Sequence, residues 1–427
     1  KNPKRVNLKE LINKKVLIMG LGLHGGGVGA AAFFARLGSR VIVTDLKTRK
    51  ELAPSIAKLK RFKNIIYHLG GHQAKDFRTA DYVIKNPGVR DDSPFLKISQ
   101  RYGIKITSDI EIFFKLSPAQ IIGITGTRGK STTAYLIWKS LKRGLRRRIF
   151  LGGNIRKSIL EFLPRLRSND LAVLELSSFQ LHDLHRARQS PPYAVMTNIL
   201  RDHLNWHRNM RDYIKAKSAV FQYQTPNQYP FINPNDPILN KLARKARSHV
   251  IRPRLQRKLA LLVDRNLGAH YRSSVALAVA VARHFGIIFA AIEKILKGFT
   301  GLDSRQELIR VVKGIRFIND TTSTSPDATI AAIRRFRPMA KGNLILIAGG
   351  QDKKLDFNQM VGEIRRAVDI LILLPGTATE KIKSKVKSST RLSFSKEKFR
   401  RVSKSKVQIY EARTMGEAVI IAHHQSK

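Results

Sequence analysis

Gly123-Ile-Thr125-Gly126-Thr127-Arg128-Gly129-Lys130-Ser131-Thr132-Thr133 decides how the rest of the chain is read. It overlaps the apolar run Ala119-Gln-Ile-Ile-Gly-Ile124 and opens the largely apolar run Ala134-Tyr-Leu-Ile-Trp-Lys-Ser-Leu141. Strand, glycine loop and helix in that order form the setting in which such a loop binds phosphate. Gly126 and Gly129 let backbone N–H groups turn inward and approach an anion, and the helix N-terminus behind them adds a favourable dipole. Lys130 can reach the β- and γ-phosphates, and the Ser131 hydroxyl can ligate Mg²⁺. Ile124 stands where the strict P-loop has its first glycine, so the spacing is a departure from that pattern. The expected ligand is a nucleoside triphosphate, its phosphates held by Gly126, Thr127, Arg128, Gly129, Lys130, Ser131 and Thr132.

Composition sets bounds around that reading. A chain of 427 residues is too long for one core, and two or three domains are expected. An apolar content of 43% describes a globular protein with ample core material. No apolar stretch reaches the roughly 18 residues of a membrane span, and Lys1-Asn-Pro-Lys-Arg-Val6 lacks the apolar region of a secretory signal. The absence of cysteine excludes disulfides and thiolate metal sites and fits a cytoplasmic address. Lys and Arg outnumber Asp and Glu by 80 to 30, a net charge of +50. The basic residues concentrate at Lys142–Arg148, Arg252–Lys258 and Lys381–Lys406. Either a nucleic-acid-binding surface or the solvated surface of an enzyme with anionic substrates would carry such charge. No zinc finger, RNA-recognition signature or basic heptad region accompanies it, so specific nucleic-acid binding is not expected.

Three α/β segments emerge, at 1–116, 117–303 and 304–427. In the first, Lys15-Val-Leu-Ile-Met-Gly20 reads as a buried strand before the glycine cluster Gly20–Gly29 and an Ala-rich helix over Ala30–Leu37. Arg40-Val-Ile-Val-Thr-Asp45 follows, its acidic end about 20 positions beyond the cluster, the outline of a nucleotide-binding βαβ unit. Its ligand could be a dinucleotide or another pyrophosphate. Further strands are expected at Tyr82–Lys85, Ile104–Thr107, Arg316–Asn319, Leu344–Ala348 and Asp369–Leu374. Strand–helix alternation throughout predicts mainly parallel sheets. The Lys/Ser-rich stretch 381–406 is expected to be the most mobile surface.

The motif order resembles that of the Mur ligase family almost from end to end. After the phosphate loop come Gly152-Gly-Asn154-Ile155, Leu174-Glu175-Leu-Ser-Ser-Phe-Gln180, Thr197-Asn-Ile-Leu-Arg-Asp-His203-Leu204 and Tyr213-Ile-Lys-Ala-Lys217. Gly301-Leu-Asp-Ser-Arg305, Asn319-Asp320-Thr-Thr-Ser-Thr324 and Gly349-Gly-Gln-Asp-Lys353 complete the set. Mur ligases use a shorter Gly-Thr-x-Gly-Lys loop, which accounts for Ile124. Leu-Glu-Leu-Ser-Ser-Phe-Gln-Leu, together with Asn-Asp-Thr-Thr-Ser-Thr opening the third segment, is similar to the glutamate-adding branch. The resemblance implies three α/β domains: a Rossmann-like UDP-binding domain, a central P-loop ATPase-like domain and a C-terminal Rossmann-like domain. It implies an ATP-dependent carboxylate–amine ligase, acting as a monomer, that adds D-glutamate to UDP-N-acetylmuramoyl-L-alanine through an acyl phosphate in peptidoglycan precursor synthesis. Folylpolyglutamate synthase shares the loop and central fold but has no N-terminal domain like residues 15–110. A basic polyanion-binding protein on a ligase scaffold is the non-enzyme alternative.

Residue by residue, the resemblance implies that Lys130, Glu175, His203 and Lys217 are catalytic. Ser131, Glu175, His203 and Lys217, the last as a carbamate formed with CO₂, would serve two Mg²⁺ sites. Lys215 is the neighbour that could be mistaken for Lys217. Arg305 and Asp320 match ATP-contacting positions. Leu23, His24, Asp45, Lys47, Asn86 and Gly88 match the UDP side, Asn154 the muramoyl part, and Thr324 and Lys353 the D-glutamate side. With substrates divided among three domains, the third is expected to swing inward about a joint near Gly301–Ser304. Several residues depart from the family pattern. Arg128 replaces Asn, Arg156 replaces Gly, Thr322 replaces a Lys seen in some members, and Tyr271 and Ser274 replace two amides expected to contact adenine. The family continues beyond His423-His-Gln-Ser-Lys427 with a strand and a loop closing on D-glutamate, implying a trimmed chain or a differently built acceptor site.

Overall fold

The computed structural model of the chain describes residues 11–23, 25–154, 158–299, 301–352, 355–388 and 407–426. Five short strands build the first sheet: β1 (Lys15–Met19), β2 (Arg40–Asp45), β3 (Ile65–Leu69), β4 (Tyr82–Lys85) and β5 (Lys105–Ser108). All pair in parallel, in the order β3-β2-β1-β4-β5. The second sheet holds β6 (Gln120–Thr125), β7 (Ile149–Gly153), β8 (Leu171–Glu175), β9 (Tyr193–Met196) and β10 (Tyr229–Ile232). It too is parallel, ordered β10-β9-β6-β8-β7. Both are doubly wound, and their near-continuous apolar strands reflect burial on two faces. Val16, Leu17, Val41, Val43, Ile122, Val173, Leu174 and Val195 are all buried.

An antiparallel hairpin, β11 (Glu307–Val312) with β12 (Ile315–Asn319), departs from the parallel pattern. Lys313-Gly314 turns it, Gly314 lying at φ 83°. Then β13 (Ile345–Gly349), β14 (Ile370–Leu374) and β15 (Gln408–Glu411) form a parallel three-stranded sheet with β14 central. Of the stretch 381–406, residues through Ser388 continue the helix Thr377–Ser388, and 389–406 lie outside the described residues.

The first two predicted segments carry one sheet each and the third carries two, and the chain packs as two compact units. The first runs through Val263 and takes in Tyr271–Gly298; the second joins Asp264–His270 to the chain from Phe299 onward. Within the first unit the two large sheets share one apolar core, in which Phe33, Phe34, Phe113, Phe162 and Leu181 are buried together. A buried ionic cluster runs beside it. Lys85 Nζ, at the end of β4, lies 2.6 Å from Asp183 Oδ1 on the helix Ser178–Arg186 and 3.3 Å from Asp91 Oδ1. Arg186 pairs with Asp91 at 3.0 Å and Glu111 at 2.8 Å. Burial, with the Asp183 charge beside it, pushes the nearby Asp109 carboxyl up to about 6.

Candidate active site

The order of the second sheet reverses at β6, which has β8 on one side and β9 on the other, so loops leaving these strands diverge and open a crevice. Register places Ile124 beside Glu175 and Thr125 beside Met196. The phosphate loop, the end of β8 and the segment starting at Thr197 thus meet at the carboxyl end of the sheet.

The loop is tightly held. Gly126 has φ 152°, and a Cβ there would overlap Thr197 Oγ1 and come within 3.1 Å of Asn198 N. Gly129, at φ 77°, begins the helix Lys130–Gly144, where a Cβ would lie 2.5 Å from Ser274 Oγ. Asn198 Oδ1 accepts from Arg128 N at 2.8 Å, and Thr197 Oγ1 donates to Arg128 O. The Thr127 hydroxyl lies 3.0 Å from the buried Tyr213 hydroxyl and accepts from Leu200 N at 2.9 Å. Such fixed backbone groups need little rearrangement to receive a phosphate. Lys130 Nζ donates to Gly126 O at 3.1 Å and Thr127 O at 3.0 Å, so it folds back over the loop.

Ser131, Glu175 and Asn154 meet beside that lysine. Ser131 Oγ donates to Glu175 Oε2 at 2.5 Å, and Asn154 Nδ2 donates to Oε1 at 2.9 Å. Glu175 is buried. A hydroxyl and a carboxylate side by side at a helix N-terminus suit a hard divalent cation. Among the described residues, no group of three or more His, Asp or Glu side chains is arranged to hold a metal. A Mg²⁺ ion here would therefore draw the rest of its shell from substrate oxygens and water, as Mg²⁺ commonly does.

Lys217 enters from the helix Met210–Gln222. Its side chain is fully buried, and Nζ donates to Gly126 O at 2.8 Å and Thr125 Oγ1 at 3.2 Å. Burial, reinforced by the Lys130 charge, holds this amine well below the usual lysine range against the opposing influence of Asp202 and Glu175. Lys215, two residues earlier, is exposed. His203 lies on the loop before that helix, with φ 54°, Nε2 3.7 Å from Asp202 Oδ2 and its ring edge-on to Phe179 at 5.0 Å. A non-glycine residue in the left-handed region is held there by its surroundings.

In the first sheet the crevice lies between β1 and β4, where the order reverses. Asp45 ends β2, and its Oδ2 accepts from Leu21 N at 2.9 Å and Gly22 N at 3.1 Å, while Oδ1 accepts from Lys47 N at 2.9 Å. Its carboxylate thus braces the glycine loop. Leu23 and Lys47 are exposed beside that loop, Lys47 lying 3.9 Å from Glu51. Asn86 Oδ1 accepts from Gly88 N at 3.1 Å, fixing the turn after β4, and Trp206 Nε1 donates to Gly88 O at 3.0 Å. This last contact ties the turn to the His203 loop.

In the second unit, Asp320 Oδ1 accepts from Gln306 N at 3.1 Å, and burial pushes its carboxyl up to about 6 despite Arg305 nearby. Arg305 N donates to Leu302 O at 2.9 Å, and Thr324 is exposed. His24 and Lys353 lie outside the described residues, as do Ile155 and Arg156. Sequence reasoning assigned no role to Asn198 or Tyr213, although both stand in motifs it quoted. Their hydroxyl and amide groups fix the loop from segments far along the chain, which no local pattern reveals.

Three protein-family models match in succession: the Mur ligase MurD-like N-terminal domain over residues 14–108, the Mur ligase middle domain over 124–279, and the Mur ligase glutamate ligase domain over 304–422. The chain is 36% identical to the UDP-N-acetylmuramoylalanine--D-glutamate ligase of Roseiflexus sp. (strain RS-1), covering 87% of this chain and 85% of that protein. It is 35% identical to the protein of the same name from Borreliella afzelii (strain PKo), covering 88% and 86%. Among solved structures, MurF from Acinetobacter baumannii aligns with a TM-score of 0.58 at 13% identity, covering 98% of this chain and 92% of that one. E. coli FolC in complex with DHPP and ADP aligns with a TM-score of 0.53 at 13% identity, covering 75% and 86%. Likeness at such identities concerns the fold alone.

Proposed function

The chain belongs to the Mur ligase family, and on that premise we propose that it joins D-glutamate to UDP-N-acetylmuramoyl-L-alanine at the expense of ATP, in peptidoglycan precursor synthesis. The observation that carries this reading is the meeting of Lys130, Ser131, Glu175 and the buried Lys217 at one end of β6 and β8. Relatives more than 30% identical over most of their length are named for this ligation, which supports the choice of substrates.

A free carboxylate does not acylate an amine, so it must first be activated, here as an acyl phosphate. The Gly126–Gly129 loop would hold the phosphates, with Lys130 turned from its own loop carbonyls onto the γ-phosphate. Mg²⁺, for which Ser131, Glu175, His203 and a Lys217 carbamate would supply ligands, would neutralise charge as two anions approach. Asn154 keeps the Glu175 carboxylate aimed at Ser131. Lys217 fits carbamylation because only a neutral amine attacks CO₂, and its surroundings favour the neutral form. On the first sheet, the loop braced by Asp45 and the Asn86–Gly88 turn would receive the UDP moiety, with Leu23, His24 and Lys47 around it. In the second unit, Arg305 and Asp320 would contact ATP, and Thr324 and Lys353 would receive D-glutamate, where an ammonium can pair with a carboxylate.

The test is phosphate release from ATP in the presence of UDP-N-acetylmuramoyl-L-alanine, with D-glutamate, with L-glutamate and with neither. Sustained release with D-glutamate alone, and a product heavier by one glutamyl residue, are expected. Release indifferent to the amino acid would reject the assignment.

A further inference from the structure

We propose that His207 is a positioning residue for ligation, holding the loop that carries His203 against the first turn of the helix that follows Glu175. The proposal rests on the active-site reading above and deepens it.

His207 is buried, and it touches three segments that each carry a site residue. Its Nε2 lies 3.0 Å from the hydroxyl of Ser178, which begins the helix three positions after Glu175. Its Nδ1 lies 3.5 Å from Asp212 Oδ2, in the first turn of the helix bearing Lys217. Its backbone N–H donates to His203 O at 3.0 Å. The ring stacks on Phe179 at 5.9 Å and meets Trp206 and Tyr213 edge-on at 4.7 and 5.2 Å. Phe179 in turn packs against the His203 ring. His203 occupies the left-handed region, a conformation that persists only where neighbours impose it. The main-chain hydrogen bond from His207 N closes this turn, and the contact that both rings share with Phe179 holds it against the helix.

The electrostatics select one tautomer. The Asp212 carboxylate favours the proton on Nδ1, so Nε2 accepts from the Ser178 hydroxyl. Serine, histidine and aspartate also make an acyl-transfer triad when the serine faces substrate. Ser178 is 3% exposed, so its hydroxyl serves as an anchor.

The experiment compares His207→Phe, His207→Gln, Ser178→Ala and the His207→Phe/Ser178→Ala pair in the full chain. Partners one step removed from a metal ligand commonly change activity or metal affinity by about 10- to 100-fold. His207→Phe is therefore expected to lower kcat about 10-fold and raise the half-saturating Mg²⁺ about 10-fold, with KM for the UDP substrate unchanged. His207→Gln, whose amide oxygen can accept from the Ser178 hydroxyl as Nε2 does, should recover most of the loss. Ser178→Ala should resemble His207→Phe, and the pair should lose no more than either alone. Unchanged kcat and Mg²⁺ dependence in a folded variant, or additive losses, would overturn the proposal. Should His207→Phe not fold, Ser178→Ala decides by the same criteria. Amide hydrogen exchange in the ligand-free chain separates this question from the ligase assignment. Ser178→Ala should speed exchange across residues 199–209 while the helix Lys130–Gly144 keeps its protection, and equal protection at 199–209 would overturn the proposal even if D-glutamate were not the substrate.

Discussion

Replacing Gly126 with alanine asks whether the shape of the phosphate loop, beyond its charge, underlies nucleotide binding. A side chain at φ 152° is strained, at a cost of about 1–3 kcal/mol. The new Cβ would also collide with Thr197 Oγ1, a buried group bonded to Arg128 O and, at 3.4 Å, to Thr125 O. Rotating that hydroxyl away forfeits the one hydrogen bond its proton shares between these carbonyls, about 1 kcal/mol. Free protein can escape part of this strain by letting the loop relax, but binding ATP forces the loop back. The penalty of about 2–4 kcal/mol should therefore appear mainly as a Kd for ATP at least about 30-fold weaker. Titration calorimetry with ATP and Mg²⁺, alongside thermal melting, measures both parts. Gly342→Ala is the control, since a Cβ there meets nothing within 4 Å. Wild-type affinity in a Gly126→Ala protein of wild-type stability would refute the reasoning.

Lys130→Ala should leave the melting temperature near wild type and abolish ligation, because the half-buried ammonium caps its own loop without filling the core; normal turnover would contradict this. Lys217→Ala should be inactive and partly rescued by short carboxylic acids that can stand where a carbamate would, and turnover equal to wild type without additive would count against that role. Asp109→Asn tests the buried cluster by pH. The folded carboxyl titrates near 6 against an unfolded value of 3.8, so its contribution is full below 3.8 and is lost as pH rises through 6. The stability of the variant relative to wild type should rise by up to about 3 kcal/mol between pH 4 and 7, and a flat difference in chemical denaturation would refute it.

Where side chains follow one another along the chain, the sequence was a good guide. The strands β1, β2 and β4 and the loop at 126–129 were legible because apolar runs and glycines are local signals. Glu175 was legible as the end of a buried strand, and Lys217 could be told from Lys215 by motif, although only the fold explains the choice: Lys217 reaches the loop and Lys215 faces solvent. Asp45 illustrates what remained hidden. Its spacing from the glycine cluster suggested a nucleotide contact, yet its oxygens take the N–H groups of Leu21, Gly22 and Lys47. The Lys85–Asp183 pair was equally invisible, since it joins a strand of the first sheet to a helix of the second segment, and charge patterning speaks only of neighbours. The antiparallel β11–β12 hairpin was missed because its first strand, exposed at Leu308, Ile309 and Val311, carries none of the alternation of a half-buried strand.

The most direct measurement follows oxygen. UDP-N-acetylmuramoyl-L-alanine labelled with ¹⁸O in both carboxylate oxygens is turned over with ATP and D-glutamate, and the released phosphate is analysed by mass. Ligation through an acyl phosphate moves one labelled oxygen into each phosphate and leaves the other in the new amide. Unlabelled phosphate released in step with amide formation would contradict that route.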